Sequence, residues 1–303
     1  MADENFKGAL FTGQVSRSAK TAAVHRLLRD GQATAEDFTK AIKQDQELIL
    51  SNQQHFAFVS AGQSDWLDIL RPIALSFHGF SKATWPVTRW FRTNSFYRRP
   101  TVIGKINCNG QELAESIPII NNGVVFVPGP HTFVKLVDNS HYNDQAEIAI
   151  DYVKALSKSV EKLKEKNYKC LLFVEYVSPI IWLNDALEQI KNIKVGVHFP
   201  LIDSSSILRF FDDSKIDFIG IDALYTNLSS IKTEKDVLLG IVDGARAAVE
   251  SVDYIRKQVK LLEKAKFSGY YIGTNDRLFD VPFDIALQKI NALNEFSKVR
   301  TND

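Results

Sequence analysis

The chain has 303 residues, with 37 Lys and Arg against 36 Asp and Glu, so its formal net charge is +1. That balance argues against a nucleic-acid binder, whose phosphate contacts leave a strongly basic domain. The apolar share of 45% suits a soluble globular chain with a sizeable core. No apolar run reaches the roughly 18 residues of a membrane span, and MADENFKGAL has no signal-peptide pattern. Cys108 and Cys170 are far apart and form no CxxC pair, so the expected compartment is the cytoplasm.

In chain order, the first strand is expected at Leu10–Gly13. A helix follows from Thr34, with Asp37 three residues on as a capping-box partner. The second strand is Phe56–Ser60, and residues 66–122 read as an insertion before the third at Val124–Pro128. Inside that insertion, Trp85 to Pro100 reads WPVTRWFRTNSFYRRP, with aromatics interleaved with Arg89, Arg92, Arg98 and Arg99. Neither a helical nor a strand period organises it. Guanidinium groups fork onto carboxylates and stack on rings, so the stretch reads either as a ligand site or as a packed loop. A hairpin over Val102 to Ile120 is expected to turn at Asn109-Gly110. Asn143 is placed to cap a long helix through Lys164. Strands then follow at Leu171–Glu175, Val195–Phe199, Phe218–Asp222, Leu238–Val242 and Tyr270–Gly273. Asp280-Val-Pro-Phe introduces the last helix, through about Lys298. Eight β-then-α units, with strands apolar along their length, predict an α/β chain folded as one (β/α)8 TIM barrel over residues 1–303.

Barrel enzymes place their chemistry at the C-terminal strand ends. Here those ends carry Arg17 and Lys20, then Asp65 with Trp66, and then His131, Glu175, His198, Asp222, Asp243 and Asn275-Asp-Arg277. Glu175 and Asp222 read equally well as structural carboxylates, and His198 as a satisfied interior histidine. No lysine ends a strand, which weakens a Schiff-base aldolase, and there is no GxSxG elbow or phosphate-binding P-loop.

Several of these segments resemble the cobalamin-independent methionine synthase family, in its N-terminal half. Arg17-Ser-Ala-Lys20 stands where the family has Arg-Glu-Leu-Lys, and Gly62-Gln-Ser-Asp-Trp-Leu-Asp68 is similar to Gly-Asp-Phe-x-x-Tyr-Asp. Thr88-Arg-Trp-Phe-Arg-Thr-Asn-Ser-Phe-Tyr97 resembles Thr-Lys-Trp-Phe-Asp-Thr-Asn-Tyr-His-Tyr. Gly240-Ile-Val-Asp-Gly244 resembles Gly-Val-Val-Asp-Gly, and Asn275-Asp-Arg-Leu-Phe-Asp-Val-Pro-Phe-Asp284 resembles Ser-Cys-Ser-Leu-Leu-His-Val-Pro-Val-Asp.

The resemblance implies a barrel of the methionine synthase/uroporphyrinogen decarboxylase-like type. It implies a methyl-tetrahydropterin, folate-like donor whose anionic glutamate tail is held by Arg17, Lys20 and Arg89. Asn94, Asp65, Trp66, Glu175, Asp222 and Asp243 complete the implied substrate-binding set. The family's catalytic barrel holds zinc through His, two Cys and Glu. The equivalents here are His198, Pro200, Asp222 and Asp276, so zinc is expected only in a separate, zinc-bearing methionine synthase catalytic-domain partner. Together the two barrels would methylate homocysteine to methionine. The alternatives are a non-catalytic pterin-binding or regulatory barrel, and an independent barrel enzyme using Glu175, Asp222 and Asp243 on an anionic small molecule.

Overall fold

The apolar runs become parallel strands because each is covered on both faces. In a computed structural model that describes residues 5–91, 95–177 and 187–301, seven of them form one parallel sheet. These are β1 (Phe6–Ala9), β6 (Gly123–Pro128), β8 (Tyr168–Val174), β9 (Lys194–Phe199), β10 (Phe218–Asp222), β11 (Asp236–Val242) and β12 (Tyr270–Thr274). They lie in the order β1-β12-β11-β10-β9-β8-β6. β6, β10, β11 and β12 are buried along their whole length, as two-sided cover requires.

The edges β1 and β6 meet through residues 56–59, where the second strand is expected. No ladder forms there: the only pairings are single parallel bridges, Ala9 with Phe56 and Val59 with Gly123. Ala57 N still donates to Ala9 O (2.9 Å) and Val124 N to Val59 O (2.8 Å), and side-chain amides bond the backbone on either side. Gln53 grips Ser60 through Oε1 (2.9 Å) and Nε2 (2.7 Å). Gln63 pairs with the Phe126 backbone in the same two-way fashion, at 2.7 and 3.0 Å.

The first strand lies earlier than expected, over Phe6–Ala9, with a register shift at Gly8, although Leu10 still donates to Ile272 O at 3.0 Å. The helices are α1 (Ala19–Arg29), α2 (Ala35–Ser51), α3 (Arg71–Ser76), α4 (Gln111–Glu115), α5 (Pro130–Leu136), α6 (Gln145–Glu165), α7 (Val252–Lys260) and α8 (Phe283–Thr301). Thr34 and Asp37 form the expected capping box on α2. The cap of α6 is Asp144 rather than Asn143, with its carboxylate accepting from Ala146 N at 3.0 Å. Helices do not follow nearly every strand. After β9 and β10 come only single 3₁₀ turns, Leu208–Phe211 and Leu228–Ser230. Local Asx turns at Asp203 and Asn227 capture the backbone there.

The segment 66–122 contains α3, β2 (His78–Phe80), a hairpin of β3 (Val87–Arg89) and β4 (Phe96–Arg98), β5 (Thr101–Asn107) and α4. The aromatic–arginine stretch is thus a short antiparallel hairpin. Asn109-Gly110 is not a hairpin turn. β5 pairs instead with β2 and with β7 (Asp138–Asn139). Gly110 sits at φ +88°, against the backbone of α6, and a Cβ there would lie 3.1 Å from Ser159 N. It opens α4, with Asn109 Oδ1 accepting from Gln111 N at 2.8 Å. No helix among the described residues is long and apolar enough to cross a membrane.

Candidate functional site

The parallel sheet brings its C-terminal strand ends to one side, but the polar residues there fall into separate groups. At the centre, Asn275 ties three strands. Its Nδ2 donates to Asp222 Oδ1 (3.2 Å) and Oδ2 (3.1 Å), and its Oδ1 accepts from Gly244 N at 2.8 Å. Its carbonyl lies 2.6 Å from His198 Nε2. Asp222 also accepts from Leu201 N and Leu224 N, each at 2.9 Å. Burial pushes the Asp222 carboxyl up to about 6 and the His198 imidazole down to about 4. His198 is therefore neutral near pH 7. Gly220 makes room for its ring, since a Cβ there would sit 2.8 Å from His198 Cβ. In the sequence Asn275 is one of the polar strand-end residues, and nothing local shows the partners it joins.

Glu175 stands apart from this group. It receives His131 N (3.0 Å), Thr132 N (2.8 Å), Thr132 Oγ1 (2.7 Å) and the His131 ring at Nδ1 (2.9 Å). It is buried and fastens the start of α5 to the end of β8, which matches the structural role open to it in the sequence. Asp243 lines a different cleft of about 410 Å³, with Leu224, Arg246, Val249, Glu250 and Tyr254. Its backbone N–H donates to Glu250 Oε1 at 2.9 Å. Glu250 in turn receives the fully buried Lys289 ammonium at 2.8 Å, and Lys289 also donates to Ala248 O.

The loops after β1 and after residues 56–60 form the third group. Val15 N donates to Gly62 O (2.9 Å), Arg17 Nε to Ser64 O (2.7 Å) and Arg17 Nη2 to Asp65 O (3.1 Å). Gln14 Nε2 reaches Trp66 O at 3.2 Å. Within this knot, Gln14 Oε1, Ser16 Oγ, Ser64 Oγ, Asp65 Oδ1 and Trp66 Nε1 are all buried without a hydrogen-bond partner. Burial pushes the Asp65 carboxyl up to about 6, against the pull of Arg17, and lowers the Arg17 guanidinium. Lys20 stands exposed on the first turn of α1, donating to Gln44 at 2.7 Å. Arg17, Asp65 and Trp66 therefore come together, with Lys20 on the adjoining helix. Arg89 is exposed on β3, its guanidinium 5.9 Å from the Phe96 ring centre. Asn94 lies outside the described residues.

Comparison with known proteins fits this architecture. No family model matches. Methionine synthase of Sulfolobus acidocaldarius is 27% identical over 214 residues, a match spanning 64% of this chain and 63% of that protein. Methionine synthase of Pyrococcus furiosus is 21% identical over 263 residues, spanning 78% of this chain and 75% of that one. Among solved structures, a B12-independent methionine synthase from a Shewanella species, in complex with selenomethionine, superposes with a TM-score of 0.71 at 15% identity, over 98% of both chains. A putative vitamin-B12-independent methionine synthase from Listeria monocytogenes gives 0.67 at 11% identity, over 96% of this chain and 98% of that one. The chain is similar to methionine synthases, and its fold is that of the cobalamin-independent enzymes.

The likeness raises the question of that family's zinc. Thiolate, imidazole and carboxylate donors must converge with open lone pairs to hold it. Among the described residues no group of three or more His, Cys, Asp or Glu is arranged to do so. Pro200 brings no donor atom. Asp222 is saturated by the N–H groups named above, and Asp276 Oδ1 accepts from Tyr176 Oη (2.5 Å) and Arg277 N (2.7 Å). Cys108 donates its thiol to Ala155 O at 3.0 Å on the inserted segment. Cys170 is buried within β8, where desolvation raises its thiol well above the ordinary range. Among the described residues, the strand ends do not fit the metal.

Proposed function

We propose that this chain is a donor-binding barrel of a two-chain, cobalamin-independent methionine synthase. It takes a methyl-tetrahydropterin, folate-like, at the loops after β1 and after residues 56–60. It then presents the methyl group to homocysteine on a separate barrel that carries zinc. In this reading the whole of residues 1–303 is one (β/α)8 unit and residues 66–122 are its insertion. The observation that carries the reading is the knot of five buried, unpartnered polar atoms on residues 14–16 and 64–66. Buried polar atoms are normally satisfied, and these offer both acceptors and donors to a heteroatom-rich ring. Arg17 borders them and Lys20 stands on the next helical turn, suited to the carboxylates of a glutamate tail. Buried free thiols at Cys108 and Cys170 agree with a cytoplasmic setting.

A second reading, a self-sufficient barrel, draws on one observation. The Shewanella methionine synthase chain, in complex with selenomethionine, matches this chain over 98% of its length. The donor set opposes it, because among the described residues Pro200, Asp222 and Asp276 do not make a metal site. An independent acid–base enzyme is opposed by Glu175, whose carboxylate is fully engaged in holding α5.

The test combines the purified chain with homocysteine and a methyl-tetrahydropterin, with and without a zinc-bearing methionine synthase barrel. The expected result is methionine only from the mixture. Methionine from this chain alone would overturn the two-chain reading. Replacing Arg17 and Lys20 by alanine should weaken a triglutamylated pterin by about tenfold or more and a monoglutamate far less, since each lost charge-assisted contact is worth about 1.5–3 kcal/mol. Equal losses on both would remove the tail assignment.

A further inference from the structure

Arg277 is 7% exposed and takes no part in the site proposed above. Its guanidinium carbon lies 4.9 Å from the Trp90 ring centre and 5.2 Å from that of Phe279. Its Nη2 donates to Asp280 Oδ2 at 3.3 Å, while Asp280 Oδ1 accepts from Ser95 Oγ at 2.6 Å. Tyr176, bonded to Asp276, stacks on Phe91 at 5.0 Å and meets Trp90 edge-on at 5.3 Å. The backbone of Arg277 is wedged between two glycines. A Cβ on Gly13 would come within 3.1 Å of Arg277 Cα, and one on Gly244 within 2.6 Å of Arg277 O. The strand-end loop after β12 is thus fixed, and the aromatic–arginine hairpin is the part that must come to it. Burial lowers the guanidinium's pKa, but Tyr176, Asp276 and Asp280 outweigh it, so the group keeps its charge.

We propose that Arg277 is the resident cation of this barrel mouth and a latch. It holds Trp90, Phe91 and Ser95 across the strand ends and shields His198, Asp222 and Asn275 from solvent. A flat guanidinium between two rings, with carboxylates on its flank, gains both the quadrupole attraction and the ion pair in a desolvated place. In a family whose catalytic barrel puts a metal ion at these strand ends, this chain puts an internal charge and closes over it. His198, Asp222 and Asn275 are 0%, 0% and 2% exposed, as a closed mouth requires.

Hydrogen exchange read by mass spectrometry on the full chain tests the latch. In Arg277→Ala, peptides covering residues 85–91 and 95–99 should exchange about tenfold faster or more, with α6 and α8 unchanged, because local opening is governed by its own free energy. Arg277→Lys keeps the charge and loses the planar stack, and should fall between wild type and Arg277→Ala. The pair Ser95→Ala and Asp280→Asn lies on the partly exposed rim, so it separates opening from misfolding; a smaller acceleration at the same peptides is expected. Unchanged exchange at these peptides in all variants overturns the latch. So does acceleration spread evenly over the whole chain, which would mark Arg277 as a general stabiliser.

Discussion

At Asp65 a carboxylate is buried beside Arg17 with no donor on Oδ1, and its pKa rises to about 6. The sign follows from proton counting. Between about pH 4 and 6 the folded chain keeps a proton that the unfolded chain has lost, so stability is lost as pH rises through that window. A rise of about 2 units corresponds to at most about 3 kcal/mol. Asp65→Asn should therefore stabilise the chain by about 1–3 kcal/mol at pH 7 and hardly at all at pH 4, read by urea denaturation. An equal gain at both pH values would refute burial of charge as the cause. His198 works in the opposite direction, since a depressed base favours the folded state as pH rises from about 4 to 6.5, and it cancels in the comparison of variant with parent. Glu175→Gln is the contrasting case. It turns an acceptor of two backbone N–H groups into a partial donor in a fully buried place, and about 2–4 kcal/mol of stability should go at any neutral pH. In the sequence, Glu175 and Asp65 looked alike as strand-end acids. Nothing in a single chain reveals which carboxylate meets two amides and a hydroxyl and which keeps an oxygen with no donor.

At the scale of elements, local signals read well and non-local ones poorly. The Thr34–Asp37 box was visible because it lies within one helical turn, and Thr34→Ala should cost about 1 kcal/mol by thermal melting. A loss near zero would mean that packing alone sets the start of α2. Asn109-Gly110 carries the dipeptide of a tight hairpin, yet the partner of β5 is β2, upstream of that turn. The glycine is needed for its approach to α6, a contact some fifty residues away in sequence that no local pattern encodes. The hairpin in the aromatic–arginine stretch was hidden for a similar reason. Alternation in Val87–Arg89 and Phe96–Arg98 covers only three residues a side, too short to separate from noise, and no local pattern shows that Arg277, far along the chain, packs against Trp90.

Over the whole molecule, the parallel α/β plan was legible because strands covered on both faces must be apolar throughout, and the runs at Phe218–Asp222 and Val195–Phe199 could be little else. The span between β1 and β6 was not. Phe56–Ser60 has a strand's composition, but Gln53 and Gln63 satisfy its neighbours with side chains, so β1 and β6 are joined by single bridges rather than a ladder. The sheet is in effect a strip fastened by a clasp. Thermal breathing should begin at the clasp, and the amides of Ala57 and Val59 should exchange sooner than those of β10 or β11. The clasp also continues directly into the loop that carries Ser64, Asp65 and Trp66. A molecule gripping that loop and Gln14 at once would rivet the strip shut, so the act of binding would be felt first as a slowing of exchange at residues it never touches.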